Sequence, residues 1–179
     1  MSLLLESYFF PEISIAANTA FDREDDGYDP EKCHFEGTLE FEGTGHIRSN
    51  FLFRVDAQSD NSMPYEIRIH AFAAFEIVSD LITEDVKYVE AFNGRMNVLK
   101  RSAVGMVYGA LRELVASISG RQPWGGFMIP TIMADDADIE LVLSDELKAF
   151  QASLKSVHDS ADAKARATVA APVKAPRKR

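Results

Sequence analysis

From Tyr65 to Ile77 every odd-numbered residue is apolar: Tyr65, Ile67, Ile69, Ala71, Ala73, Phe75 and Ile77. The even positions carry Glu66, Arg68, His70, Phe72, Ala74 and Glu76. Successive side chains on a strand point to opposite faces, so the pattern predicts a long antiparallel strand with one buried and one mostly wet side. Phe72 is the exception on the wet side, a large apolar group that either something covers or a partner uses. Upstream, Phe35, Leu39 and Phe41 alternate with Glu36, Glu40 and Glu42. Ile47, Phe51, Phe53, Val55 and Ala57 likewise oppose Arg48, Asn50, Arg54 and Asp56. Gly43 and Gly45 permit a turn between these two strands, and Asp60-Asn61-Ser62 with Pro64 supplies the next link. Phe9 to Phe21 reads as a first strand interrupted at Pro11, a residue tolerated at a strand's start or edge. The acidic stretch from Asp22 to Lys32 reads as a loop. Four strands with short polar connections predict an antiparallel meander or a close variant.

Beyond Ile77 the apolar period becomes helical. Thr83 with Glu84 and Asp85 predicts an N-cap and an acidic first turn of a short helix, which Asn93-Gly94 ends or kinks. Met96 to Ser119 predicts one long helix. Leu99, Ala103, Met106, Ala110, Leu114 and Ser117 form one stripe on it, and Val104, Val107, Leu111, Val115 and Ile118 a second beside it. Together they are broader than the apolar face of an ordinary surface helix. Gly105 and Gly109 lie mid-helix, where each costs about 1 kcal/mol relative to alanine. Close approach of another backbone offsets such a cost. The domain's own sheet is one candidate; the breadth of the apolar surface favours a second subunit, with Ala103, Gly105, Tyr108, Gly109 and Arg112 at the interface.

Gly120 fits a C-cap. The loop that follows holds Trp124, Phe127, Met128 and Ile129 among Gly125, Gly126 and two prolines. Large apolar side chains on such a frame re-pack around varied apolar partners, or plug their own core. Ser144 is placed to cap a final helix from Asp145 to about Val157, with Leu147, Phe150 and Leu154 on its apolar side. The fold class expected is α+β: a four-stranded antiparallel sheet, a long apolar helix, a Gly/Pro apolar loop and a second helix.

Charge changes the picture at one end. The net charge of −9 divides into −13 over residues 1–157 and +4 over 158–179. An acidic body repels phosphate backbones, which argues against nucleic-acid binding. The Ala/Lys/Pro-rich end lacks any core-forming pattern, so the expected organisation is a folded domain over 1–157 and a disordered basic tail over 158–179. With the lone Cys33 there is no internal disulfide framework and no Cys-rich metal site. Met1 to Phe10 has no basic n-region and meets Glu6 and Pro11 early, so a signal peptide is not expected. No run of 18 apolar residues occurs, so membrane insertion is not expected either and the expected location is cytoplasmic.

Chemistry adds little. His34, His46, His70 and His158 lack metal-ligand spacing, no serine has a nucleophile-elbow context, and no phosphate loop occurs. Asp135, Asp136 and Asp138 read as a solvated loop. No enzymatic activity and no cofactor are expected.

One stretch is recognisable. The helix Val107-Tyr108-Gly109-Ala110-Leu111-Arg112-Glu113-Leu114-Val115-Ala116-Ser117-Ile118-Ser119-Gly120, followed by a Pro-containing apolar loop ending Ile129-Pro130-Thr131-Ile132, resembles the SecB export-chaperone family. The strand Tyr65–Ile77, ending in an aromatic-x-Ile, is similar to that family's last strand. The resemblance spans about residues 9–157. Three departures stand out: Met106-Val107 replaces the proline that commonly precedes the helix aromatic, the loop has Trp-Gly-Gly in place of a Pro-Pro run, and the basic tail differs. The resemblance implies an ATP-independent holdase that binds unfolded clients, either preproteins or an antitoxin, and assembles as a homotetramer, a dimer of dimers. Its partners would be those clients and, in the export role, the translocase motor. The client surface it implies, with the loop reading above, comprises Phe72, Trp124, Phe127, Met128, Ile129 and Ile132. A purely structural or adaptor oligomer, with the loop buried in fixed contacts, is the alternative.

Overall fold

In the computed structural model, residues 2–21, 32–57, 62–83, 86–131 and 138–156 are described. The strands are β1 (Leu3–Ala17), β2 (Cys33–Glu42), β3 (His46–Val55), β4 (Tyr65–Ile77) and β5 (Asp138–Val142). The long helix α1 spans Val89–Ser119, and a second helix, α2, runs over residues 145–156. The strands form one mixed sheet in the order β1-β4-β3-β2-β5.

The three middle strands follow the alternation in the sequence. On β3 and β4 the odd residues are buried and the even ones face outward. Gly43, at a φ of 61°, makes the turn between β2 and β3 in the left-handed region that glycine tolerates. Gly37 on β2 has a different reason to be glycine. A Cβ there would overlap the Asn50 carbonyl oxygen and the Phe51 Cα across the ladder.

Three expectations change. A fifth strand, parallel to β2, occupies part of the stretch read as an acidic loop, pairing Asp138 to Val142 with Glu36 to Glu40. Its backbone completes the β2 ladder, a long-range gain that outweighs the poor strand propensity of its acidic residues. The sheet is therefore mixed. β1 also lies beside β4, not beside β2, so only β2-β3-β4 is a meander. It starts at Leu3 and ends at Ala17, with Pro11 at an irregularity in its register.

The helix, too, begins earlier than expected. Asn93 and Gly94 lie inside α1, and Tyr88 takes the N-cap position without a side-chain bond. Phe92, fully buried, starts the stripe Phe92–Met96–Leu99–Ala103–Val107–Leu111–Val115 that packs on the sheet. Burying that ring outweighs the cost of Gly94, which sits on the exposed side. Thr83 accepts a hydrogen bond from Arg95 Nη1 at 2.8 Å instead of capping a helix. At the far end Gly120 is the C-cap but with right-handed dihedrals (φ −58°, ψ −16°). Ser144 does cap α2, accepting the Leu147 N–H at 3.3 Å.

The core lies between the odd face of the sheet and α1. Tyr108 stands edge-on to Phe35 and Phe53, at centroid distances of 5.2 and 6.1 Å. α2 closes the other end through Phe150 against Phe92 at 5.7 Å.

Candidate apolar docking surfaces

The loop after α1 is fastened at several points. The Trp124 indole N–H donates to the Asn18 carbonyl at 2.9 Å, and its ring meets Phe21 edge-on. Asn18 in turn donates to the carbonyls of Met63 and Ala57, at 3.0 and 3.3 Å. Tyr65 donates its hydroxyl to the Gly125 carbonyl at 2.7 Å. Ser119 Oγ accepts the Phe127 N–H and donates to the Val115 carbonyl, both at 2.7 Å. Tyr108 donates to the Pro130 carbonyl at 2.8 Å, and Arg112 Nη1 to Thr131 Oγ1 at 3.1 Å. Polar groups in the sheet and helix thus satisfy the loop backbone, which a buried segment requires.

Within this frame Phe127 and Ile129 are buried and Trp124 is half-buried, while Met128 stands 55% exposed. Phe127 packs toward Tyr65, on the helix side of the sheet. Phe72 lies on the other side, stacked on Phe9 at 5.5 Å. The sheet therefore stands between Phe72 and the loop. Ile132 lies outside the described residues.

The five residues expected at a subunit interface also divide. Ala103 and Tyr108 are buried, and Arg112 is half-buried. Gly105 and Gly109 are exposed, and a Cβ at either position would meet no described residue within 4 Å. Val98 and Met106 are exposed on the same helix, so the face of α1 away from the sheet is smooth and partly apolar.

Two further apolar regions escaped the sequence reading. The first is β1, an edge strand on which Leu4, Tyr8, Phe9 and Ile13 are all exposed. Leu3-Leu4-Leu5 and Tyr8-Phe9-Phe10 break the alternation expected of an edge strand; that was the available signal. The second is a cleft of about 690 Å³ lined by Ser79, Asp80, Thr83, Ala91, Gly94, Arg95 and Val98. Exposed Val78, Ile82 and Tyr88 adjoin its lining residues in the chain, and Ser79 Oγ is buried without a hydrogen-bond partner among the described residues. Nothing in the local sequence marks this cleft, because its walls come from the end of one element and the flank of another.

Charged chemistry is dispersed. Among the described residues no group of three His, Cys, Asp or Glu side chains is arranged to hold a metal, and no helix is long and apolar enough to cross a membrane.

Burial pushes the Tyr65 phenol above its ordinary pKa. A raised folded-state value means that the unfolded chain ionises first, so stability is intact below about pH 10 and falls as pH rises beyond it. We expect Tyr65→Phe to lose about 1 kcal/mol at neutral pH with the Gly125 bond, yet to show a shallower alkaline decline. Denaturant midpoints at pH 8 and pH 10.5 test this; equal declines in the two proteins would remove Tyr65 as the cause.

No protein-family model matches the chain, and no curated protein matches it. Solved structures do. One is a protein of unknown function from Streptococcus agalactiae, 14% identical, covering 73% of this chain and 98% of its own, with a TM-score of 0.47. Another is a SecB-like chaperone from Mycobacterium tuberculosis in complex with a peptide from the HigA1 antitoxin. It is 17% identical and covers 73% of this chain and 90% of its own, with a TM-score of 0.42.

Proposed function

We propose that this chain is an ATP-independent holdase chaperone that binds extended, unfolded polypeptide through apolar surface. The observation that carries this reading is β1: Leu4, Tyr8, Phe9 and Ile13, four large apolar side chains, are all exposed on this one strand. A folded enzyme or a simple monomer gains nothing from such exposure, whereas a chain that holds others needs it. The SecB-like sequence pattern of the long helix points the same way. Binding an unfolded state shifts its equilibrium by mass action, so no nucleotide is needed.

Of the six side chains named in the sequence, we assign client contact to Phe72 and Met128. Trp124, Phe127 and Ile129 then serve to hold the loop that presents Met128. The acidic body favours basic clients; preprotein and antitoxin both fit. Suppression of aggregation of a reduced, unfolded model protein at stoichiometric amounts, without ATP, tests the reading. A chain that leaves aggregation unchanged is an adaptor or structural oligomer instead.

The assembly we propose is a dimer of dimers, using the β1 edge and the open Gly105/Gly109 face of α1. A leucine at position 109 would project into the space a partner backbone needs. Gly109→Leu should therefore shift the mass in light scattering from tetramer toward dimer while leaving the monomer fold intact. An unchanged tetramer would take that face out of the interface.

A further inference from the structure

The cleft of about 690 Å³ between the end of β4 and the flank of α1 is used by none of the contacts assigned above, and its volume is that of an ordinary ligand site. One wall is the segment leaving β4, with Ser79, Asp80 and Thr83; the other is α1, with Ala91, Gly94 and Val98. Arg95 ties the two walls together. Its Nη1 donates to the carbonyls of Asp80 and Leu81, both at 3.4 Å, and to Thr83 Oγ1 at 2.8 Å. The cleft is therefore formed by the fold before any ligand arrives.

Gly94 shapes the helical wall. Glycine is disfavoured against alanine inside a helix, and its usual uses are a left-handed turn or the close approach of a backbone. Gly94 serves neither: it lies within α1, and a Cβ there would meet no described residue within 4 Å. Its missing side chain leaves the wall open beside Ala91 and the exposed Val98, which recur on the same side of the helix. On the opposite wall the polar groups have work to do. Ser79 Oγ is covered and has no partner among the described residues; a turn about χ1 into the cleft gives it one when a ligand is present. Asp80 is exposed, and its carboxylate has no ion-pair partner among the described residues.

We propose that this cleft is a second seat for client polypeptide, taking a short extended segment that carries a large apolar side chain next to a basic one. The apolar group lies on the wall of Ala91, Gly94 and Val98, a peptide carbonyl meets the Ser79 hydroxyl, and the base pairs with Asp80. Charge favours this occupant, since residues 1–157 carry a net −13. So does position. The Val78 N–H donates to the Ser2 carbonyl at 3.1 Å, so the cleft opens where the β1–β4 ladder ends, near exposed Leu4. A client laid along β1 runs on into it. The proposal rests on the holdase reading and adds to it a site apart from Phe72 and Met128.

Methyl NMR of the full chain, titrated with an unstructured nine-residue peptide of leucine, phenylalanine and lysine among glycines, tests the proposal. The methyl signals of Val78, Ile82 and Val98 should shift on titration. Gly94→Leu should weaken the binding they report about tenfold, the worth of one buried apolar side chain. Gly94→Ala, which raises helix propensity as well but fills little of the space, should stay within about twofold. Asp80→Asn should weaken the lysine peptide about threefold at low salt and leave a peptide with glutamate in place of lysine unchanged. Signals at these three residues that stay still while those of Leu4 and Ile13 move, or equal binding in Gly94→Leu, overturn the second seat and leave the holdase reading standing. Loss of aggregation suppression by the native chain, with no methyl moved by peptide, overturns both. Shifts that follow protein concentration without peptide would assign the cleft to a second copy of the chain instead.

Discussion

Replacing Phe9 and Phe72 together by alanine is expected to cut holdase activity at least about tenfold while leaving the chain folded. The two rings are in register across β1 and β4 and stack on the outer face of the sheet. Phe9 is 58% exposed, so most of its area is free to be buried by a client. Covering a side chain of this size is worth about 1.5–3 kcal/mol, and each ~1.4 kcal/mol is a factor of ten in affinity. The folded state loses less, chiefly the stacking of one cross-strand pair, about 0.5–1.5 kcal/mol. Aggregation suppression and thermal melting, measured side by side, separate the two effects. Full activity in the double variant would move the client surface off this face of the sheet.

The second large effect lies in the loop. Phe127→Ala is expected to destabilise the fold by about 3–5 kcal/mol, the cost of emptying an aromatic site in a core. Its side chain is buried against Tyr65, and its backbone N–H is held by Ser119. Met128, its exposed neighbour, should tolerate alanine within about 0.5 kcal/mol, as surface positions do. The loop's apolar residues thus divide by burial into anchors and a presented group, though the sequence offers them as one set. Denaturant unfolding of the two single variants decides the matter. Equal, small losses would mean that the loop is free to re-pack around a client.

What the sequence determined by itself is the part in which local period and burial agree. The alternation in β2, β3 and β4, the turn at Gly43 and the second stripe of α1, with Val104, Val107, Leu111 and Val115 buried, are legible, because each element's buried face is written in its own residues. In the first stripe Leu99 and Ala103 are buried but Met106 and Ser117 are exposed. The Ser144 cap is legible for the same reason, since a hydroxyl three residues before an N–H needs no distant partner.

Only the tertiary structure decided the rest. β5 is a strand because β2 offers an open ladder, and its own residues, Asp138 and Glu140 among them, argue for a loop. The first turns of α1 form across Asn93-Gly94 because the sheet and α2 make a place for Phe92. The loop around Trp124 is a fastened segment because its partners, Asn18 and Tyr65, are brought to it from more than fifty residues away. Phe72 and Phe127 fall on opposite sides of the molecule because a sheet separates odd from even positions. A chain's periodicity states which faces want burial. Which partner buries them, and which apolar groups are left exposed on β1, follows from the order in which strands β1, β4, β3, β2 and β5 pair, and no local pattern contains that order.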